Sequence, residues 1–179
     1  QGQGGLGLIR ISGHEALAVA HRIFQPKKLN PAEQPGLMCF GYLVDREKDE
    51  RLDCGYACYF QPQVSYTREE VVEISLHGSP VILNEALRLA IKGGARLARP
   101  GEFTLRAYLH GRLDIVQAEA INDLIRAISL QQAKISFHQA EGSLSRKIQA
   151  VRQQIVKLLV NIEAVWNFRK KNLGSPRRK

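Results

Sequence analysis

The chain has 179 residues, of which 44% are hydrophobic and 24% are charged, and its formal net charge at pH 7 is +9. This length can bury the core of one domain or of two small ones, and no run of 18 apolar residues is present that would span a membrane. Six of the 26 basic residues lie in 169–179, where no acidic residue occurs, which leaves 20 basic and 17 acidic groups elsewhere. The basicity is mostly a property of that end, so it gives weak support to nucleic-acid binding.

The first part of the chain contains strand patterns separated by turns and helices. Four strands are predicted from hydrophobic alternation or short apolar runs, at Leu6–Ile11, Met38–Val44, Cys54–Phe60 and Val71–His77. The second and third of these are predicted to form a hairpin across a charged loop, Asp45–Asp53.

Two amphipathic helices are predicted between these strands and after them. The first covers Gly13–Phe24 with Ser12 as its cap, and the second begins at Ser79-Pro80 and ends at Gly93-Gly94. Strands interleaved with helices predict a compact α+β domain over residues 1–109.

From about Asp114 the pattern becomes helical. Apolar residues recur at spacings of three and four at Ile148, Val151, Ile155, Leu158, Ile162 and Val165. This spacing predicts long helices that pack against each other or against a partner. We therefore expect an all-α segment over 110–168, followed by a basic, disordered tail over 169–179.

The three cysteines predict neither a disulfide nor a metal site. Cys54 and Cys58 lie four residues apart on a predicted strand, so their Cα atoms are about 13 Å apart, too far for a disulfide. An odd number of cysteines fits a reducing compartment, and burial as small apolar side chains is the simplest role. No histidine stands at zinc-finger spacing, and we expect no metal ligands.

The glycines of Gln1–Gly7 do not form a phosphate-binding loop. They precede a strand, whereas a dinucleotide-binding loop follows a strand and opens a helix. The chain also lacks the G-x-x-x-x-G-K-[ST] pattern of a P-loop, so by itself it is not expected to bind or hydrolyse GTP.

Arg10 and Glu73 are charged residues inside apolar strands, LGLIRI and VVEISL. Charges on buried strands are costly unless they are paired or bind a ligand. Two alternatives remain open. In the first, which is structural, the residues lie on a half-exposed face or pair with each other. In the second, Glu73 accepts hydrogen bonds from the amidine edge of a ring such as a pterin, and Arg10 contacts a carbonyl or carboxylate of the same ligand.

Two further residues stand at turns near the predicted site. His77 lies on the same strand face as Glu73, but no nucleophile with a base and an orienting group accompanies it, so no catalytic residue is predicted. Arg112 follows Gly111 and could reach anionic groups of a ligand, or it could be a structural residue paired with Asp114.

Four ordered motifs carry a resemblance to a known family. They are GQGGLGLIRISG, SYTREEVVEISLHGSPVIL, ARPGEFT and HGRLDIVQAEAINDLI. In sequence and order they resemble the MnmE (TrmE) family of tRNA-modification GTPases, over residues 2–168.

This resemblance implies a fold and a function. The N-terminal domain would resemble the folate-binding domain of the glycine-cleavage aminomethyltransferase, bind a tetrahydrofolate one-carbon donor (the 5,10-methylene or 5-formyl form) and form a homodimer. Its folate contacts would fall on Arg10, Glu73 and Arg112. In the family a GTPase domain, which binds GTP, Mg²⁺ and K⁺ and is missing here, is inserted in a helical domain. The full protein works in the cytoplasm, not at a membrane, with MnmG, an FAD protein, on the wobble uridine of tRNA.

Several positions depart from the family pattern. The family usually has Lys at Arg112, Arg at Gln3, and Gly at Arg68 and Ser79. These differences leave alternatives open: a structural dimerisation module whose folate pocket has decayed, or a general RNA-binding domain that uses the basic tail. An aminomethyltransferase-type enzyme is a further alternative, against which the long helical segment argues.

Overall fold

The structure, a computed structural model, describes the backbone of residues 4–173 and the side chains of residues 4–168. The chain forms two compact units, Gln1–Leu113 and Asp114–Lys179. The division falls four residues after the predicted boundary at 109. Backbone N–H groups of Arg112 and Leu113 donate to the Ala107 carbonyl oxygen, and this turn keeps both residues with the first unit.

The first unit is built on one antiparallel sheet, and two of its three helices pack against one face of that sheet. Its strands are β1 (Leu6–Ser12), β2 (Phe24–Pro26), β3 (Cys39–Asp45), β4 (Glu50–Phe60) and β5 (Val71–His77), in the spatial order β1-β5-β4-β3-β2. Its helices are α1 (Ala16–Ile23), α2 (Pro80–Lys92) and α3 (Glu102–Leu109). The predicted α+β class of this domain is confirmed.

Alternation along the central strands separates a core face from an open face. On β5, Val72, Ile74 and Leu76 are buried and join one hydrophobic core with residues of β1, α1 and α2. Glu73 and His77 occupy the alternate positions and are half-buried and exposed respectively. Because side chains on a strand alternate between the two faces, these polar groups all lie on the open face.

Three local predictions differ from the structure. The predicted loop Asp45–Asp53 is shorter, because β4 begins at Glu50 and a register shift after Leu43 lets the strands continue past the irregularity. A short strand, β2, was not predicted. Ser12 is not the cap of α1, which begins four residues later, and its hydroxyl lies 2.7 Å from Thr67 Oγ1 instead.

Helix α2 begins and ends at the positions that the sequence predicts. Pro80 is its first residue and Gly93 follows its last. Ser79 stands at the N-cap position with extended backbone, although its hydroxyl makes no capping hydrogen bond. The helix start therefore depends on Pro80, whose ring fixes the backbone angle that the first turn requires.

In the described part of the second unit every regular element is a helix, as predicted. It contains α4 (Ile115–Ile125), α5 (Leu130–Ala140) and α6 (Ser143–Leu173). Asp114 caps α4 by accepting the Gln117 N–H at 2.9 Å, and Gln117 Oε1 accepts the Asp114 N–H in return.

Helix α6 carries the predicted apolar stripe, and that stripe is exposed. Leu158, Ile162 and Val165 each keep more than 60% of their surface accessible. The helix continues to Leu173, five residues into the stretch predicted to be a disordered tail, and residues 174–179 lie outside the described part of the chain. Among the described residues, no helix is both long and apolar enough to cross a membrane.

Candidate functional site

Arg10 and Glu73 form an ion pair on the open face of the sheet. They stand opposite each other where β1 pairs with β5. Arg10 Nε and NH2 lie 2.7 and 2.6 Å from Glu73 Oε1. Both contacts are to the same carboxylate oxygen, and Oε2 accepts no hydrogen bond from the residues that the structure describes. One of the roles left open by the sequence, mutual pairing, is therefore present, and one carboxylate oxygen still has acceptor capacity.

Tyr66 connects this pair to Arg112. The Arg10 guanidinium carbon lies 6.0 Å from the centre of the Tyr66 ring, and that of Arg112 lies 5.8 Å from the same centre. The Phe103 ring is 5.6 Å from Arg10. The structure thus brings Arg10 and Arg112, which are far apart in sequence, to one aromatic ring, and Glu73 joins them through its ion pair with Arg10.

The turn after α3 holds the loop that carries Tyr66. Arg112 NH1 donates to the Ser65 carbonyl oxygen at 3.0 Å, and His110 Nδ1 donates to the Thr67 carbonyl oxygen at 2.7 Å. Ser65 and Thr67 are buried, whereas Tyr66 between them is half-buried. Two fixed neighbours leave the Tyr66 ring little freedom, so its position relative to the arginines is well defined.

A second group of charges anchors the start of α3 beside this site. Arg106 NH1 lies 2.7 Å from Glu69 Oε2, and Arg106 NH2 lies 2.9 Å from Glu102 Oε1, which also accepts from Arg96. Hydrogen bonds from Arg96, from the Arg99 backbone N–H and from Arg106 hold the pKa of Glu102 far below its usual range. Glu102 therefore stays ionised and joins the segment before α3 to the helix itself.

A cavity of about 380 Å³ lies next to these charges, on the helix side of the sheet. Apolar side chains of β1, α1 and α2 form its floor, among them Ile11, Val19 and Ile91. Arg10 and Arg106 line it, whereas Glu73 and Arg112 do not. Arg10 is thus the residue common to the cavity and to the ion pair.

Cys58 lies directly across from Glu73 on β4. Burial, together with the neighbouring charge of Glu73, raises the pKa of the Cys58 thiol. A buried thiol that resists ionisation is a poor nucleophile, so Cys58 supplies packing rather than covalent chemistry.

His77 forms hydrogen bonds with Asp53, a residue that the sequence pattern does not connect with it. Asp53 Oδ1 lies 2.6 Å from His77 Nδ1, and Asp53 Oδ2 accepts the His77 backbone N–H at 3.0 Å. Asp53 was predicted to lie at the end of a loop. Only the register of β4 against β5, which the sequence does not fix, brings it to the end of β5.

Tyr66 and Phe103 are the aromatic residues of the site that were not predicted. They lie within the SYTREE and ARPGEFT motifs, next to turn-forming and charged residues. For Tyr66, an aromatic residue in a polar turn segment is the available signal, because such a ring has no strand or helix face on which to be buried. Phe103 lies in the first turn of α3 and carries no such signal.

Comparison with known proteins identifies both units. The family model for the N-terminus of the GTP-binding protein TrmE matches residues 1–112, and the model for the MnmE helical domain matches residues 115–176. The tRNA modification GTPase MnmE of Synechococcus sp. (strain JA-3-3Ab) is 43% identical over 166 residues, which cover 93% of this chain and 36% of the relative.

Other relatives have the same name and match this chain over a similar length. The tRNA modification GTPases MnmE of Koribacter versatilis and Acetivibrio thermocellus are 43% and 44% identical over 167 residues, and these cover 37% and 36% of the relatives. This chain therefore spans a little more than a third of the length of the curated relatives it matches, and it belongs to the MnmE (TrmE) family.

Proposed function

We propose that this chain is the folate-binding and dimerising part of a GTPase that modifies the wobble uridine of tRNA. Its relatives are named tRNA modification GTPases, and it matches their N-terminal and helical-domain models. The observation that supports the proposal is that Arg10 and Arg112 both lie at the Tyr66 ring and that Glu73 pairs with Arg10 there.

The chemistry of these groups fits a reduced folate. The amidine edge of a pterin offers two N–H donors to a carboxylate, and Glu73 Oε2 retains acceptor capacity beside the Arg10 contact on Oε1. Arg112 and Arg10 offer guanidinium donors to the carbonyl and carboxylate groups of such a ligand. Tyr66 presents an aromatic face between them. A bound tetrahydrofolate derivative would supply the one-carbon unit.

The test is calorimetric titration of the chain with 5-formyltetrahydrofolate. We expect saturable binding that Glu73→Ala weakens at least tenfold, because the carboxylate is the group that holds the pterin edge. Glu47→Ala is the matched control, since Glu47 also pairs with a basic residue, Lys92, at an exposed position on the same unit. If Glu73→Ala and the control bind folate as the wild-type chain does, the assignment of Glu73 is wrong.

An exchange of the two charges separates a ligand-binding role from a structural one. Arg10→Glu combined with Glu73→Arg retains an ion pair, so the thermal stability of the double variant should stay close to that of the wild type. Folate binding should nevertheless be lost, because the carboxylate now projects from β1. If the double variant keeps both the thermal stability and the folate affinity of the wild type, the two residues act only as an ion pair and Glu73 does not hold the pterin edge.

Homodimerisation without folate binding is a second candidate function. Arg10 and Glu73 satisfy each other in this structure, and β1 is an edge strand of the sheet on which Leu6 and Leu8 are 80% and 52% exposed. Exposed apolar side chains on a strand edge are typical of a protein–protein contact. A dimer in sedimentation equilibrium, with no folate binding by a folded chain, would favour this candidate.

The remaining functions belong to the whole protein. We infer that GTP, with Mg²⁺ and K⁺, binds in a separate GTPase domain. We further propose that an FAD protein similar to MnmG is the partner in modifying tRNA in the cytoplasm. A pull-down of the full-length protein with that partner, with and without the residues described here, would test whether this part contributes to the complex.

A further inference from the structure

Three side chains with different metal-binding atoms meet at the end of β5. Extending the register of β4 against β5 by two positions from Tyr56 and Ser75 places Cys54 opposite His77. The Cys54 sulfur, a ring nitrogen of His77 and a carboxylate oxygen of Asp53 all lie within 4.8 Å of one another. Asp53 and Cys54 are adjacent on β4, whereas His77 lies 24 residues after Asp53 at the end of β5, so no local spacing motif predicts the site.

Two of these groups are already fixed in position. The Asp53 side chain is only 10% exposed, and its two oxygens contact the ring Nδ1 and the backbone N–H of His77. Little side-chain freedom remains to be lost when such a group binds a ligand.

The third group and the surroundings leave room for an ion. Cys54 is a free, half-buried thiol, and the His77 side chain is 65% exposed. In a tetrahedral zinc site the ligand atoms lie about 3.4 Å apart, so the groups need only small rotations to reach that arrangement. The exposure of His77 leaves a fourth position open to water.

We propose that Asp53, Cys54 and His77 bind Zn²⁺ as a three-residue site with one water ligand. A thiolate and an imidazole together select zinc over magnesium or calcium, which prefer oxygen ligands. On binding, the Cys54 thiol loses its proton to solvent, and the proton on His77 Nδ1 moves to Nε2. The metal then takes the place of the hydrogen bond between Asp53 and His77. This site is independent of the folate proposal, since none of its ligands contacts Arg10, Glu73 or Arg112.

The test uses Co²⁺ as a spectroscopic substitute for zinc, added to the metal-free, reduced 179-residue chain. We expect one Co²⁺ per chain, with a near-ultraviolet band from thiolate to metal and a visible spectrum of tetrahedral type. Added Zn²⁺ should abolish both signals, with an affinity for zinc tighter than about 10 μM. Affinity should increase with pH because the thiol is deprotonated on binding.

Variants identify the ligands. Cys54→Ser should abolish the thiolate band, and His77→Ala and Asp53→Asn should each weaken cobalt binding at least tenfold. Cys58→Ala and His14→Ala are matched controls that remove the same residue types elsewhere in the unit and should leave the titration unchanged. Circular dichroism establishes that each variant is folded.

Two results would overturn the site. One is a folded wild-type chain that shows no thiolate band or binds zinc only more weakly than about 100 μM. The other is a thiolate band that persists in Cys54→Ser, which would assign the metal to another cysteine.

Discussion

Tyr66 interacts with both arginines of the candidate folate site. Its ring centre is about equally distant from the guanidinium carbons of Arg10 and Arg112, while its hydroxyl lies 3.1 Å from Thr104 Oγ1. A guanidinium near the face of an aromatic ring gains on the order of 0.5–2 kcal/mol, depending on its solvation. The ring therefore adds to the contacts that orient these two groups, of which Arg10 is also held by Glu73 and Arg112 by the Ser65 carbonyl oxygen.

Tyr66→Ala should weaken 5-formyltetrahydrofolate binding about 30-fold, because both arginines lose the ring that orients them and each such contact contributes about 1 kcal/mol. Tyr66→Phe should bind nearly as well as the wild type, since it retains the ring and removes only the hydroxyl. Calorimetric titration of both variants checks this. Equal losses in the two variants would attribute the effect to the hydroxyl instead.

Arg68 has an unfavourable backbone conformation for its residue type. Its φ is +60°, in the left-handed region that L-residues other than Asn and Asp rarely adopt. The resembling family has Gly at this position, which adopts the conformation without a Cβ clash.

Arg68→Gly should raise the free energy of unfolding by about 0.5–1 kcal/mol. The removed strain, about 1–2 kcal/mol, exceeds the added entropy of glycine in the unfolded chain. Urea denaturation of the variant measures the change. The control is Arg51→Gly, a strand position with no such strain, where glycine should destabilise; a loss of stability in Arg68→Gly as well would refute the strain argument.

At the scale of elements, charged side chains in the segment from Ala98 to Leu113 hold helix α3 in place. Gly101, with φ +74°, makes the turn before α3, and Glu102 then accepts hydrogen bonds from Arg96, Arg99 and Arg106. Arg106 also joins α3 to Glu69 in the loop before β5. Glu102 of the ARPGEFT motif thus joins the segment before α3 to the helix, and Arg106 attaches the helix to the loop before β5. The Phe103 ring borders the candidate site.

Glu102→Gln should lower the melting temperature most at neutral pH, and less as the solution becomes acidic. The folded-state pKa of Glu102 is depressed, whereas in the unfolded chain it is near 4.5. Its stabilising contribution is therefore fully present above that value and is lost as pH falls towards the folded-state pKa. Thermal unfolding between pH 7 and pH 3 checks this, with the exposed Glu119→Gln as control. A difference between wild type and Glu102→Gln that does not shrink with acid would contradict the role of its charge.

The hydrophobic pattern of the sequence predicts the positions of the main helices and strands well, but it predicts poorly which side chains meet in the folded chain. Strand alternation locates β1, β3, β4 and β5 to within a few residues, because burial of one face requires period-two apolar residues. The three-residue β2 carries too few residues to show a period. Strand register decides which polar groups meet, so the pairing of Arg10 with Glu73 stood only as one of several alternatives, and the meeting of Asp53 with His77 could not be predicted.

At the scale of the molecule, α6 exposes an apolar stripe along much of its length. Ile155, Leu158 and Ile162 are each at least 51% exposed. Apolar surface on one helix face at three-four spacing is the arrangement by which helices associate.

We therefore expect this chain to self-associate through α6 in a concentration-dependent way. Ile155→Lys with Leu158→Lys should shift sedimentation equilibrium towards smaller species, because two charges interrupt the stripe. Gln149→Lys with Gln153→Lys adds the same charge to the same helix away from the stripe and should have little effect. Equal effects of both pairs would indicate that net charge, not the stripe, controls association.

The order of strands in the sheet also has a consequence for how the chain is made. β1 leaves the ribosome before the other described strands, yet among them it pairs only with β5, and Arg10 and its partner Glu73 are 63 residues apart. Neighbouring strands β3, β4 and β5 can associate as soon as they emerge, whereas β1 must wait for the 63 further residues from Arg10 to Glu73. During synthesis the apolar strand LGLIRI therefore lacks its partner β5 until that strand has emerged, and the candidate folate site cannot assemble before that late pairing is complete.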